Sequence, residues 1–306
     1  MKWLLLAGYL ILLILLFFPF GDLITRDIHI QPFFCHEHNC SATLIHLFET
    51  YTPQGCAFYD VNLDEISNYF DSFPVIMDRR TRLEHTQPFF SRGLMHHKFC
   101  FFEEDLVFTG GWNPTWRETY LNDNYQLLLF HPDIRAAYEE EFIYLQGGPT
   151  PSSFSTRLAG GGRLSLYFCP HHSCEEQVLS VLETATSIDA LFFTFTSQPI
   201  ADALALRVER GATLRAVFER RQLHLTEHHQ RLAAVGGAIR LDQNPATMHG
   251  KLFIVNNDTL IVGSYNPTAA GTQRNNENLL IISGREELVM LFYQEFKRIW
   301  EMSVYL

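Results

Sequence analysis

The chain repeats itself, and this constrains its fold more than any other feature. FFCHEHNCSATLIHLFETYTPQGCAFYDVNLDEI, from Phe33, aligns without a gap on YFCPHHSCEEQVLSVLETATSIDALFFTFTSQPI, from Tyr167, at an offset of 134. The C-x4-C pairs Cys35/Cys40 and Cys169/Cys174 coincide, as do Glu49-Thr50 and Glu183-Thr184. Further on, IMDRR (Ile76–Arg80) matches VFERR (Val217–Arg221) at an offset of 141, and MHHK (Met95–Lys98) matches MHGK (Met248–Lys251) at 153. The growing offset places extra residues in the second copy, chiefly LTEHHQRLAAVGGAIRL (Leu225–Leu241). That stretch reads as an added helix and a short strand, where the first copy has only a QPFFSRGL loop.

Each copy reads strand, helix, strand, helix, strand, hairpin, strand, helix. SIDALFFTFT is a short apolar, β-branched and aromatic run, hence a strand. EEQVLSVLETA has its apolar residues at helical spacing. KLFIVNNDTLIVGS is two strands around an Asn-Asn-Asp turn, and REELVMLFYQEFKRIW is a closing amphipathic helix. GGPTPSSFSTRLAGGGR (Gly147–Arg163) is a linker by its Gly, Pro and Ser content. The expected organisation is α/β, with one repeat over 33–146, a linker over 147–163 and a second repeat over 164–306. Two like halves pack most naturally about a pseudo-two-fold axis, as a homodimer does, so a single chain has no need to dimerise.

No charged residue occurs between Trp3 and Phe20. As a helix, that run spans about 27 Å, close to a bilayer core. Residues 1–22 are read as an uncleaved signal-anchor; a cleaved signal peptide and a buried core helix are the alternatives. Lys2 favours an extracytoplasmic body, and Arg26 on the other flank opposes it. A formal net charge of −11 disfavours a generic polyanion binder. For the two C-x4-C pairs, a local disulfide, a zinc site using His36, His38, His171 and His172, and reduced cysteines all stay open. Cys56 and Cys100 sit in apolar strands and read as buried thiols.

Across an axis, the repeated motifs would converge. His and Lys of H-x-K lie on one face of a strand, and the Asn of G-[SG]-x-N follows the next strand of the hairpin. Two copies bring His96, Lys98, Asn113, His249, Lys251 and Asn266 around one pocket. That set suits a phosphodiester. Ammonium and amide groups hold non-bridging oxygens, one imidazole attacks phosphorus, and the other protonates the leaving alkoxide and then activates water. No metal or cofactor is required.

These residues resemble the phospholipase D superfamily, whose motif is H-x-K-x4-D-x6-G-S-x-N, twice per active site. The resemblance runs over roughly residues 33–303 and implies a duplicated α/β/α sandwich behind the N-terminal transmembrane helix. Copy two matches at His249, Lys251, Gly263, Ser264 and Asn266; copy one matches at His96, Lys98, Gly110 and Asn113. The motif Asp is replaced by Glu103 and Asn256, with Asp105 and Asp258 two residues on, and the motif Ser by Gly111. Ser264, Gly111 and Asn124 are expected to line the substrate. Glu277 follows Asn266 by eleven residues where Asn124 follows Asn113. By resemblance, Glu277 orients His96 from the opposite half, which makes His96 the nucleophile. His249, facing neutral Asn124, becomes the general acid.

The superfamily cleaves or exchanges phospholipid headgroups, joins lipids in cardiolipin synthesis and cuts nucleic acids. The apolar N-terminus, the negative charge and QPFF (Gln87–Phe90), with Phe89 and Phe90 either at an interface or in the core, favour phospholipid hydrolysis at a membrane. A membrane-tethered nuclease is the runner-up; phosphatidyl transfer and a phosphate-binding protein without turnover are further alternatives. Arg79, Arg80, Arg220 and Arg221 either draw in phosphate or pair with Asp78 and Glu219. His171, His172, His228 and His229 are expected to be solvated.

Overall fold

A computed structural model describes residues 28–306. The proposed anchor over 1–22 lies outside them, and among the described residues no helix is long and apolar enough to cross a membrane.

The first half builds β1 (His29–Phe34), β2 (Pro53–Phe58), β3 (Val75–Asp78), β4 (Gln87–Phe89), β5 (Lys98–Phe102), β6 (Leu106–Gly110) and β7 (Tyr125–Phe130), in the order β1-β7-β6-β5-β2-β3-β4. The second half has β8 (Phe154–Arg157), β9 (Arg163–Cys169), β10 (Ser187–Phe192), β11 (Thr213–Phe218), β12 (Ala238–Leu241), β13 (Lys251–Val255), β14 (Thr259–Gly263), β15 (Glu277–Ser283) and β16 (Val304–Tyr305). Its order, β16-β12-β11-β10-β13-β14-β15-β9-β8, repeats that of the first sheet and adds one strand at each edge. In both sheets a parallel pair (β2–β3, β10–β11) adjoins an antiparallel H-x-K strand (β5, β13). The central strands β5, β6, β13 and most of β14 are buried on both faces, which explains their nearly unbroken apolar runs.

The two sheets face each other across a shared core. Both closing helices, Pro132–Leu145 and Glu286–Met302, contribute to it, through Tyr138 and Phe142 from one and Phe292 and Phe296 from the other. The second helix presents Leu288, Val289, Phe292, Phe296, Ile299 and Trp300 as one stripe. Separate clusters cover the outer faces. Leu44, Leu47 and Phe48 pack on sheet one, and Val178, Leu182, Ile200 and Leu204 on sheet two. Each sheet is thus sandwiched between outer helices and the central helical layer.

The halves differ where their sequences do. The added stretch of the second copy forms the helix His228–Ala234 and β12. The first copy is not a bare loop there: Gln87–Phe89 pair with β3 as the short strand β4. Phe89 packs against the shared core, whereas Phe90 is 70% exposed. The second outer helix shrinks to Asp64–Ser67 in the first half, against Gln198–Glu209 in the second. His228 and His229 are buried rather than solvated, with their rings against Phe195 and Phe218, because their helix packs onto sheet two.

Cys35–Cys40 and Cys169–Cys174 form the local disulfides, so these thiols are not zinc ligands. Cys56 and Cys100, expected as thiols, also pair; they are direct register partners on β2 and β5. The equivalent positions on β10 and β13 are Ala190 and Phe253, also register partners. The Cys56–Cys100 link closes a separation of 44 residues, against 5 for each local link. Loop-closure entropy then assigns it about 4 kcal/mol of stability, against about 2 for a local link. In urea melts, Cys56→Ala/Cys100→Val is expected to lose more stability than Cys35→Ala/Cys40→Ala; equal losses would contradict this ranking.

Candidate active site

Each H-x-K segment is held by three devices, and the two halves share the same plan. A carboxylate at the end of the third strand caps the residue before the histidine. Asp78 accepts from Met95 N at 2.9 Å, and Glu219 from Met248 N at 2.8 Å. The same carboxylates take Arg80 (3.1 Å) and Arg221 (2.9 Å). These two arginines therefore brace the H-x-K loops, donating also to Gly93 O and Pro245 O, and are not free to draw in phosphate.

The second device is a backbone exchange between halves. His96 N donates to Asn276 O (2.9 Å) and Asn276 N to Leu94 O (2.8 Å); His249 N donates to Asp123 O (2.9 Å) and Asp123 N to Thr247 O (3.0 Å). Each histidine is thereby stitched to the strand of the opposite half that carries its supporting side chain. The third device is that side chain. His96 Nδ1 lies 2.8 Å from Glu277 Oε2, and both groups are buried. An ionised carboxylate only accepts, so Nδ1 carries the proton and Nε2 is left as the basic atom. Ser264 Oγ (2.7 Å) and Asn275 Nδ2 (3.0 Å) complete the donors to Glu277.

His249 is not confined to a neutral partner. Asn124 Nδ2 lies 2.8 Å from its Nδ1, but Glu118 Oε2 lies 3.1 Å from the same atom and also accepts from Asn124. Glu118 comes from the short helix Trp116–Tyr120, capped by Thr115, whose hydroxyl accepts from Glu118 N. In the second half the equivalent helix is Ala269–Gln273, capped by Thr268 onto Gly271. Half one thus supplies its carboxylate from a helix and half two from a strand. Gly111 follows from this: Asn124 Nδ2 donates to its carbonyl at 3.1 Å, and a Cβ there would meet Asn124 Oδ1 at 2.7 Å. Ser264 and Asn124 spend their polar groups inside this network, so they support the histidines rather than line the substrate.

Lys98 and Lys251 are buried and curl onto the carbonyls of His96 (2.5 Å) and His249 (2.8 Å). Asn113 and Asn266, at equivalent positions, are buried, and each has a side-chain oxygen without a partner among the described residues. His97, the middle residue of MHHK, faces the other way, 2.7 Å from Glu141 on the closing helix. Glu103 and Asn256 stand outside the site; Glu103 is exposed, and Asn256 Oδ1 caps the start of β10.

The electrostatics reflect the burial of these groups. Burial drives His96 down to about 4 against the pull of Glu277, with Lys98 and Lys251 adding to the fall. Burial takes Lys98 to about 7 and Lys251 to about 8, and Glu118 and Glu277 limit both shifts. His249 is lowered by burial, with Glu118 opposing. Burial would raise both glutamates, but His249 and Lys251 hold Glu118 at about 2, and His96 and Lys98 hold Glu277 low. The histidines rest neutral beside ionised carboxylates, ready to gain positive charge as an anion enters.

The family model described as "Cardiolipin synthase, PLD-like domain" matches residues 73–146 and 179–300. The chain belongs to this phospholipase D-like family. The mitochondrial cardiolipin hydrolase of Homo sapiens is 37% identical to it over 123 residues, 40% of this chain and 48% of that protein. The phospholipase D of Rickettsia felis is 29% identical over 128 residues, 40% of this chain and 63% of that protein. The chain spans about half the length of the curated relatives it matches. Phosphatidylserine synthase of Haemophilus influenzae Rd KW20 superposes with a TM-score of 0.68 over 92% of this chain and 87% of that one; at 12% identity it shows the fold alone.

Glu118 was missed in the sequence because it sits outside the motif spacing. The available signal was a carboxylate five residues after Asn113 in the copy whose Glu277 equivalent is Asn124. Removing either carboxylate, by Glu118→Gln or Glu277→Gln, is expected to lower turnover of bis-p-nitrophenyl phosphate by roughly 10²–10⁴. Glu118→Ala/Asn124→Glu, which moves the carboxylate to its half-two position, should recover part of the loss relative to Glu118→Ala. No loss in Glu118→Gln would assign His249 to Asn124 alone.

Proposed function

We propose that the chain is a phosphodiester hydrolase of phospholipase D type, acting on phospholipid headgroups through a phosphohistidine. The observation that carries this reading is the reciprocal pairing: His96 with Glu277, and His249 with Glu118, each across the halves. Nε2 of His96 attacks phosphorus while the bond to the headgroup oxygen breaks. His249, as imidazolium held by Glu118, gives its proton to the departing alkoxide. His249 then takes a proton from water, the resulting hydroxide displaces His96, and phosphatidate leaves. Lys98, Lys251, Asn113 and Asn266 hold the non-bridging oxygens, most tightly in the pentavalent state.

Phospholipid is favoured over nucleic acid by the net charge of −11 and by exposed Phe90, Trp116 and Tyr120. The apolar N-terminus would tether the enzyme to a membrane. The pairing of all six cysteines supports an extracytoplasmic body. One chain holds both histidines, so the active unit is a monomer.

Acid quench during turnover should trap phosphate on His96; label on His249 instead would reverse the roles, and turnover without label would remove the covalent step. Phosphatidylethanolamine vesicles should be hydrolysed in preference to single-stranded DNA, and the opposite preference would make the enzyme a nuclease. The pH dependence of kcat/KM follows from the site. Neutral His96 gives a limb rising through about pH 4. The need for charged His249 gives a fall beginning below 6.5, deepened as Lys98 and Lys251 discharge through about 7 and 8. The optimum is therefore on the acid side of neutrality; an optimum above pH 8 would contradict these assignments.

A further inference from the structure

The two halves wall the pocket with different chemistry. Tyr59 and Phe193 occupy equivalent positions, each following β2 or β10. The Tyr59 ring lies 5.3 Å from the His96 ring with Lys98 Nζ 5.3 Å above it; Phe193 lies 4.4 Å from His249 with Lys251 Nζ at 4.9 Å. The residues that follow are Asp60 and Thr194. Half one therefore adds a phenol hydroxyl and a carboxylate where half two has a phenyl ring and a neutral hydroxyl.

Asp60 is half-buried, and among the described residues no side chain bonds or pairs with its carboxylate. Burial raises it, the Val61 N–H that donates to it and the charge of Lys98 pull it down, and Glu118, the partner of His249, raises it further. The segment is fixed. Asn62 N donates to Pro114 O (2.9 Å), and Asn62 Oδ1 accepts from Trp116 N (2.8 Å), which ties the loop to the helix bearing Glu118. Asp78 and Arg80, the other charges near Tyr59, neutralise each other at 3.1 Å. A half-desolvated carboxylate held by a backbone N–H but by no cationic side chain, beside a phosphodiester site, repels a second phosphate and attracts an ammonium.

We propose that Tyr59 and Asp60 form a headgroup subsite that selects a phospholipid whose leaving alcohol carries a positively charged amine, and rejects leaving groups that carry a further phosphate. This rests on the phospholipase reading above and names its substrate class. On the loop between Tyr59, beside His96, and Asn62, tied to the helix of Glu118, Asp60 takes the ammonium of the alcohol that His249 protonates, and the Tyr59 hydroxyl is a second acceptor. Thr194 offers no charge, so the pocket is polarised and the substrate enters in one orientation.

The test compares kcat/KM on vesicles of phosphatidylethanolamine, phosphatidylglycerol and cardiolipin with matched acyl chains, and on bis-p-nitrophenyl phosphate. Wild type should favour the amine headgroup. Asp60→Asn should lower the ethanolamine-to-glycerol ratio about tenfold, and Asp60→Lys should invert it toward cardiolipin. Both variants keep a polar residue at this half-buried position, and turnover of the aryl diester reports that each is folded. Hydrolysis of the lipids with a ratio unmoved by either variant, or a wild-type preference for cardiolipin, overturns the subsite alone. Turnover of the aryl diester with none of any lipid overturns the phospholipase reading and the subsite with it.

Discussion

Everything in this molecule depends on an exchange across the pseudo-two-fold axis. Each half provides an imidazole and receives, from the other half, the carboxylate that orients it and the backbone bonds that fix it. His96 sits on Asn276 and Glu277; His249 sits on Asp123, Asn124 and Glu118. Neither imidazole has its orienting carboxylate within its own repeat. The duplicated chain, the shared core with its two closing helices, and the register of β5 and β13 serve to hold this exchange in place.

The exchange also settles the charge of a buried site. Lys98 and Lys251 bring two positive charges and Glu118 and Glu277 two negative ones, with both imidazoles neutral. A buried site tolerates such charges because they are paired. Protonating one imidazole leaves a single positive charge, which matches the single negative charge of a phosphodiester. Removing Glu118 from this sum would leave His249 without the anion its imidazolium needs, so a carboxylate on the short helix compensates for Asn124 on the strand. The two halves have kept the balance and changed the residue that provides it.

The duplication and the H-x-K and Asn pairs were legible in sequence because they recur at fixed spacing, and the reach of Glu277 to His96 only through the resemblance to the phospholipase D superfamily. What was hidden is what spacing does not carry. Glu118 depends on the direction of one turn of helix. The Cys56–Cys100 link depends on strand register across 44 residues. The burial of His228 and His229 depends on a helix that only the second half possesses. Arg80 and Arg221 read equally as phosphate ligands or as surface partners of Asp78 and Glu219, and their grip on Gly93 O and Pro245 O depends on loop paths that spacing does not carry.

In the proposed mechanism both imidazoles act at one phosphorus, and two in-line displacements restore the configuration that one would invert. The most direct measurement is the stereochemical course at a chiral phosphorothioate diester hydrolysed in isotopically labelled water. Net retention is the predicted result; net inversion would mean a single displacement by water and would contradict a shared two-histidine site.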